Sequence, residues 1–143
     1  MTIYLDISEV YEIHQGIIEM TTGKAGVRNF ALLHSAVERP KATFDGQDLY
    51  PTLWAKAAGL LHSICMNHAF TDGNKRTAWG STKRFLWLNG YHLRAERKEG
   101  ADFMVRVDNE KPSLADIASW LKTHSTKRSH DDLVAIHSGM RLA

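Results

Sequence analysis

The strongest constraint on the fold is a pair of long apolar segments separated by only a few residues. Pro51 stands where proline can begin a helix, and apolar residues recur after it at helical spacing. The positions of this stripe are Leu53, Ala57, Leu60, Leu61, Ile64 and His68. A second helix is predicted over residues 74–88, ending at the Asn89-Gly90 pair. Since both segments are apolar over about four turns, we expect them to form the central pair of the core, with His68 ending the first stripe.

Two further helices are predicted on the N-terminal side of this pair. Ser8 can cap a helix that runs to about Met20. Its apolar face is formed by Val10, Ile13, Ile17 and Met20. Asn29 can cap a helix over residues 30–39, which Pro40 would stop. Residues 40–50 have no helical period and contain an Asp-Gly pair, which predicts a loop or a short hairpin.

The pattern is weaker after Gly90. Residues 91–93 predict a short extended piece, residues 102–107 a short helix, and Pro112-Ser113 the start of a clearer helix. Residues 125–143 predict a final helix or a loose tail of the same domain. Small side chains at Ala78, Gly80 and Ser81 would let another helix approach the second long helix closely. We therefore expect an all-α, single-domain bundle.

Composition argues against several classes of protein. A chain of 143 residues suits one hydrophobic core, and a formal charge of +2 is too small to indicate direct nucleic-acid binding. No apolar run approaches the roughly 18 residues of a membrane span, and the N-terminus lacks the apolar region of a signal peptide. The single cysteine, Cys65, lies among apolar residues and is predicted to be an inert buried thiol. We expect a cytoplasmic protein with no membrane association.

The chemistry-bearing residues are concentrated between the two long helices. This segment reads His68-Ala69-Phe70-Thr71-Asp72-Gly73-Asn74-Lys75-Arg76-Thr77-Ala78. The first N–H groups of a helix lack internal partners and carry the positive end of its dipole, so the helix that begins at Asn74 can bind phosphate. Gly73 lets the backbone approach an anion without a Cβ in the way. Lys75 and Arg76 place positive charge at a helix start, a cost that we expect a ligand to compensate.

His68 and Asp72 complete a set suited to group transfer. Imidazole is an effective general base near neutral pH, and a carboxylate beside a phosphate site can hold Mg²⁺. Taken alone, His68 is more simply a core or helix-end residue and Asp72 a helix cap. Together they supply a base and a metal ligand beside an anion cradle, as phosphoryl or nucleotidyl transfer requires.

This segment resembles the signature of the Fic/Doc family, whose Fic form reads His-Pro-Phe-x-Asp/Glu-Gly-Asn-Gly-Arg-x-x-Arg. The matching residues are His68, Phe70, Asp72, Gly73, Asn74 and Arg76. Ala69, Lys75 and Trp79 depart from it, and the Asn-Lys-Arg-Thr ending is that of the death-on-curing (Doc) branch. The likeness covers residues 1–124, which we predict to be a Fic/Doc-type catalytic domain, with residues 125–143 as its C-terminal helix or tail.

The resemblance implies a role for each motif residue. His68 would deprotonate a target hydroxyl, Phe70 would pack into the core, and Asp72 would bind Mg²⁺ on the phosphates of ATP. The Gly73 and Asn74 backbone would form the anion hole. The cationic pair Lys75 and Arg76 would grip phosphate.

The resemblance also implies a flap and a target. Residues 40–50, with Phe44, Asp45 and Gly46 at the centre, would align a target segment by strand-like pairing. In the Doc branch the activity is phosphate transfer to a threonine of elongation factor Tu, which halts translation; in the Fic branch it is AMP transfer. Lys75 and Trp79 favour phosphate, whereas Gly73 is shared with the Fic form, so both remain open.

Control is expected to come from a second protein. Many Fic enzymes carry an inhibitory Ser/Thr-x-x-x-Glu-Gly/Asn helix, and this sequence has no such string. Glu99-Gly100 comes closest, but Ala95 stands at the first position. We therefore expect a cognate antitoxin that acts in trans through a disordered segment folding as a helix.

Two other functions remain as alternatives. One is a metal-dependent phosphohydrolase that uses His62, His68 and Asp72, although such enzymes gather ligands from several elements. The other is a partner-binding module whose phosphate site has lost its activity.

Overall fold

The computed structural model describes residues 1–137, with side chains as far as Ala135. These residues form seven α-helices and two small antiparallel sheets. The helices are α1 (Ile7–Thr21), α2 (Phe30–Glu38), α3 (Leu53–Asn67), α4 (Asn74–Leu88), α5 (Arg97–Glu110), α6 (Leu114–Thr123) and α7 (His130–His137). The strands are β1 (Thr43–Phe44), β2 (Gln47–Asp48), β3 (Tyr91–Leu93) and β4 (Ser125–Lys127), and a 3-10 turn spans Arg39–Lys41. The predicted all-α fold with a short hairpin is confirmed.

The two long helices form the centre of the core, as their apolar stripes predict. α3 packs against α2, α4 and α6, and α1 crosses the other side of α4. The buried residues of the central pair include Leu60, Leu61, Ile64, Phe85 and Leu86. A Cβ at Gly80 would come within 3.1 Å of the Ile13 Cγ2, so the small residue on α4 is what allows α1 to approach.

The starts of α1 and α3 are each displaced by two residues from the prediction, whereas Asn29 caps α2 as predicted. Asp6, not Ser8, caps α1: it accepts a hydrogen bond from the Glu9 N–H (2.9 Å), and the Glu9 carboxylate accepts one from the Asp6 N–H (3.3 Å). α3 begins at Leu53 with Thr52 as its cap, two residues after the predicted start at Pro51. In each case an oxygen side chain beside the predicted start supplies the acceptor that the free N–H groups of the first turn need.

The buried face of α1 is also shifted from the prediction. Val10, His14 and Ile18 are buried, whereas Met20 is 64% exposed. The predicted face followed only the apolar residues and therefore missed the histidine at its centre.

The C-terminal segments are more ordered than their sequence suggests. α5 begins at Arg97, five residues earlier than predicted, and β4 pairs with β3. Asp132 is buried and accepts hydrogen bonds from the Ser129 N–H (2.9 Å) and Arg94 Nη2 (2.7 Å), with His92 Nδ1 at 3.1 Å. These contacts fix the start of α7 to β3. Residues 138–143 of the predicted tail lie outside the described residues. Among the described residues, no helix is long and apolar enough to cross a bilayer.

Candidate active site

His68 lies just beyond α3 rather than within its buried stripe. It caps the helix in the left-handed conformation (φ 49°, ψ 45°) and is exposed, which corrects the predicted burial. Its carbonyl accepts a hydrogen bond from Arg28 Nη2 (2.6 Å). The next carbonyl, of Ala69, accepts from the N–H groups of Arg28 (2.7 Å) and Asn29 (3.0 Å). The backbone at His68 is therefore held from outside the motif, while its side chain is open to a second molecule.

Phe70 anchors the loop between α3 and α4. Its ring is buried and stacks on His14 of α1, with ring centroids 3.8 Å apart and an interplanar angle of 8°. The Asn74 side chain accepts from the Phe70 N–H (3.1 Å) and donates to the Phe70 carbonyl (3.0 Å). The predicted packing role of Phe70 matches this placement, and the Asn74 side chain closes the loop on itself.

His14 is a residue of the site that the sequence did not indicate. Its Nε2 lies 2.8 Å from the Asp72 carbonyl, and because a carbonyl only accepts, Nε2 must carry the proton. A Cβ on Gly73 would also lie 3.7 Å from the same ring. The only signal was a histidine one turn after Val10, on a face predicted to be apolar.

The Asp72 carboxylate is exposed and ionised. It accepts hydrogen bonds from the N–H groups of Lys24 (3.2 Å) and Gly73 (2.9 Å), and these hold the pKa of Asp72 below its usual value. A Cβ on Gly23 would lie 2.8 Å from its Oδ2, so a larger residue there would displace the carboxylate. Mg²⁺ is often held by one carboxylate together with substrate phosphates. An exposed, ionised Asp72 fits that requirement.

The start of α4 offers donors for an anion. Gly73 caps the helix at φ 78°, and its own N–H is donated to Asp72. The Thr77 N–H bonds to the Gly73 carbonyl (2.9 Å), so the N–H groups of residues 74–76 are the ones without a partner inside the helix. An anion cradle here therefore uses residues 74–76 rather than Gly73.

Lys75 is compensated within the chain. Its Nζ lies 3.3 Å from Asp108 Oδ2 on α5, so the cost of a cation at the start of α4 does not require a ligand, contrary to the expectation from sequence. Arg76 is exposed. Both cations line a groove of about 710 Å³ between α1, α4 and α5, within the size range of ligand pockets.

Trp79 forms part of this groove where the Fic signature has its last arginine. It packs against Gly100 of α5 so closely that a Cβ there would lie 3.0 Å from Trp79 Cζ2. Its ring also meets Trp120 edge to face at 5.9 Å. The wall of the groove is aromatic at this point instead of cationic.

The predicted flap is a two-residue hairpin. Thr43 pairs with Asp48 and Phe44 with Gln47, and Asp45 (φ 53°) and Gly46 (φ 77°) form the turn, as a type I′ hairpin requires. Phe44 is 76% exposed, so its side chain contributes little to the core.

A buried lysine and a partly buried arginine hold the C-terminal end of this hairpin. The Lys56 ammonium is buried and donates to Asp48 Oδ2 (3.1 Å) and to the Tyr50 carbonyl. Arg39 donates to the Tyr50 hydroxyl (2.7 Å). The base of the hairpin is therefore tied to α3 through Lys56.

His62 belongs to this anchor and not to a metal site. Its Nδ1 accepts a hydrogen bond from Arg39 Nη1 (3.0 Å), and burial together with the Arg39 charge lowers the pKa of His62. In the part of the chain that the structure describes, no three or more His, Cys, Asp or Glu side chains are grouped to hold a metal ion. The set His62, His68 and Asp72, on which a metal-dependent phosphohydrolase would depend, is therefore not assembled.

Comparison with known proteins identifies the family. A model of the Fic/DOC family matches residues 4–86, more than half of the chain. The chain belongs to the Fic/Doc family. It is also similar to Toxin Doc of Mycolicibacterium smegmatis (strain ATCC 700084 / mc(2)155), with 50% identity over 123 residues that cover 85% of this chain and 92% of that protein. Fic/Doc membership implies a transferase that acts on proteins, and it confirms the resemblance inferred from residues 68–78.

Proposed function

We propose that this Fic/Doc protein is a toxin that transfers the γ-phosphate of ATP to a Ser or Thr hydroxyl of a translation protein, with elongation factor Tu as the first candidate. The observation that carries the proposal is Lys75, which stands where the Fic signature has glycine. A glycine leaves room for a phosphate chain at the start of α4, whereas a lysine adds a long side chain and a charge at that point. The nucleotide then binds with its γ-phosphate towards the target hydroxyl.

The residues of the site divide the reaction between them. His68 accepts the proton of the target hydroxyl while the hydroxyl oxygen forms a bond to the γ-phosphorus. The bond from that phosphorus to the bridging oxygen breaks, and ADP leaves. The N–H groups of residues 74–76 and the Arg76 guanidinium stabilise the charge that develops on the phosphate oxygens. Asp72 would hold Mg²⁺, which when bound neutralises phosphate charge and orients the nucleotide.

AMP transfer is the second candidate, and Gly73 is the observation that favours it, since the Fic form has the same residue. Trp79 weighs against it because the last arginine of that signature, a phosphate ligand, is replaced by a ring packed on Gly100. Loss of nucleotide binding altogether would instead favour an inactive partner-binding module.

Labelled ATP separates these functions. We expect transfer of label from γ-labelled but not α-labelled ATP to elongation factor Tu in the presence of Mg²⁺, with an intact-mass increase of one phosphate. Lys75→Gly should weaken this transfer and allow some transfer of the α-label, while His68→Ala serves as the inactive control. Transfer of the α-label by the wild type would establish AMP transfer in place of phosphorylation.

The groove between α1, α4 and α5 is proposed as the site of an antitoxin segment. Its rim carries the exposed apolar side chains of Met20 (64%) and Val105 (47%), and the relative named Toxin Doc supports a toxin that has a cognate antitoxin. An amphipathic helix can bury such apolar side chains while its polar face meets Lys75 and Arg76.

A further inference from the structure

The lysine that carries the proposed function has a fixed partner on another helix. α4 has no acidic residue in its first turn, although acids are the residues that a helix start favours. The missing negative charge comes from Asp108, 33 residues away in sequence, whose Oδ2 lies 3.3 Å from Lys75 Nζ. The side chain of Asp108 is 28% exposed and that of Lys75 is 46% exposed. The pair is therefore sheltered enough to set the position of the ammonium and open enough to be broken by a competing anion.

The pair lies where three helices meet, at the edge of the groove. Both charges also act on the buried thiol of Cys65 on α3. Burial first, and then Asp108, raise the pKa of this thiol to about 11, and Lys75 acts in the opposite direction. Lys75 itself lines the groove. Because its partner Asp108 belongs to α5, the ammonium is drawn towards that helix.

We propose that Asp108 is a positioning residue that acts through Lys75: its carboxylate fixes the ammonium on the α5 side of the anion cradle and competes with phosphate for it. This inference rests on the proposed function, since it assigns Asp108 to the placement of the same triphosphate. A carboxylate that competes with phosphate weakens nucleotide binding. A carboxylate that places the lysine accelerates the reaction of the nucleotide once bound.

For a variant without this carboxylate, these two effects predict tighter binding of ATP together with slower turnover. Loss of structure does not produce that combination. Asp108→Asn should bind ATP about three-fold more tightly, because a partly exposed carboxylate competes only modestly with phosphate and the amide no longer does so. The same variant should have a kcat lower by about ten-fold, because the ammonium is no longer placed. Asp108→Glu, which keeps the charge, should recover most of the kcat and the affinity of the wild type.

A double-mutant cycle tests whether Asp108 acts through Lys75. ATP affinity is measured calorimetrically with Mg²⁺, and kcat from γ-label transfer to elongation factor Tu, for Asp108→Asn, Lys75→Met and the double variant. In the Lys75→Met background, Asp108→Asn should change neither quantity by more than about two-fold. Asp102→Asn is the matched control, since Asp102 pairs with Lys98 at 2.8 Å on the exposed side of the same helix; it should behave as the wild type.

Each other outcome overturns the inference. Weaker ATP binding together with slower turnover in Asp108→Asn means a structural role only, and thermal unfolding of the variant would show it. Equal effects with and without Lys75 mean that Asp108 does not act through it, and unchanged binding and turnover mean no role. If the wild type transfers no phosphate, the proposed function fails, and the affinity half of the cycle alone then decides the role of Asp108.

Discussion

His68 is the residue on which the proposed chemistry depends most directly. It is exposed beyond the end of α3, and the contacts at this point are made by its carbonyl, with Arg28, rather than by its ring. His68→Ala should therefore leave the fold intact and reduce target modification by about 10²-fold or more, the usual contribution of a general base. Label transfer and growth arrest measure the loss, and the circular dichroism of the purified variant controls for folding. Full toxicity in a well-folded variant would remove His68 from this role.

His14 provides a second test at the same scale. His14→Phe keeps a ring against Phe70 but removes the donor to the Asp72 carbonyl, which lies 2.8 Å away. An acceptor that loses its buried partner costs about 1–3 kcal/mol, so we expect a lower free energy of unfolding and a lower rate of transfer. Denaturant unfolding and label transfer measure the two effects. His34→Phe, at an exposed position of α2, should leave the transfer rate at the wild-type level; an equal loss of rate there would contradict a specific role for His14.

At the scale of elements, the hairpin can be tested through its anchor. Lys56→Met removes the buried ammonium that holds Asp48 and the Tyr50 carbonyl. If residues 43–48 align the target, the KM for the protein target should rise about five-fold or more, because a misplaced binding segment loses contacts. The KM for ATP should stay within about two-fold. Steady-state kinetics with each substrate varied in turn would show the difference.

The control for this variant is Lys41→Met on the 3-10 turn, where the lysine forms an exposed pair with Glu38 and lies over the Tyr4 ring, 5.6 Å from its centroid. It should change neither KM, since exposed pairs contribute little. A parallel rise in both KM values for Lys56→Met would indicate a general loss of stability in place of a role in alignment.

Local signals predicted the hairpin turn and the start of α2 correctly, although they displaced the starts of α1 and α3 by two residues. Asp45 and Gly46 supply the two left-handed residues of the hairpin turn, and Asn29 supplies the cap of α2. The prediction was wrong where an interaction across the fold decides. The buried face of α1 includes His14 because a carbonyl of the motif loop accepts its hydrogen bond, and no pattern within α1 indicates that partner.

The predictions for the site also succeeded where local sequence decides and missed what depends on contacts across the fold. The motif predicted His68 and Asp72 as site residues, and the structure brings both to one exposed loop. The motif did not predict that the charge of Lys75 is balanced within the chain, because its partner Asp108 lies on α5, 33 residues later. It also did not give the use of the Gly73 N–H by Asp72, since several acceptors compete for the free donors of a helix start.

At the scale of the whole molecule, the open groove leads to a prediction about control. The side of α4 that faces α1 and α5 is left accessible along a groove of about 710 Å³, and the sequence contains no inhibitory helix to fill it. Expression of the wild type alone should therefore arrest growth, and coexpression with the cognate antitoxin should restore it. Viability and soluble yield are the measurements. Harmless accumulation of soluble wild type without a partner would contradict inhibition in trans.

The aromatic wall of the groove gives the molecule an intrinsic optical reporter. Trp79 faces Gly100 and meets Trp120, and Trp120 in turn stacks on Phe103 at 3.8 Å. Indole emission responds to the polarity and packing of its surroundings, so filling the groove shifts the fluorescence of Trp79. Trp54 packs on Tyr91, away from that wall, and its replacement by Phe would lower the background. Occupancy of the groove can then be followed in solution without any label.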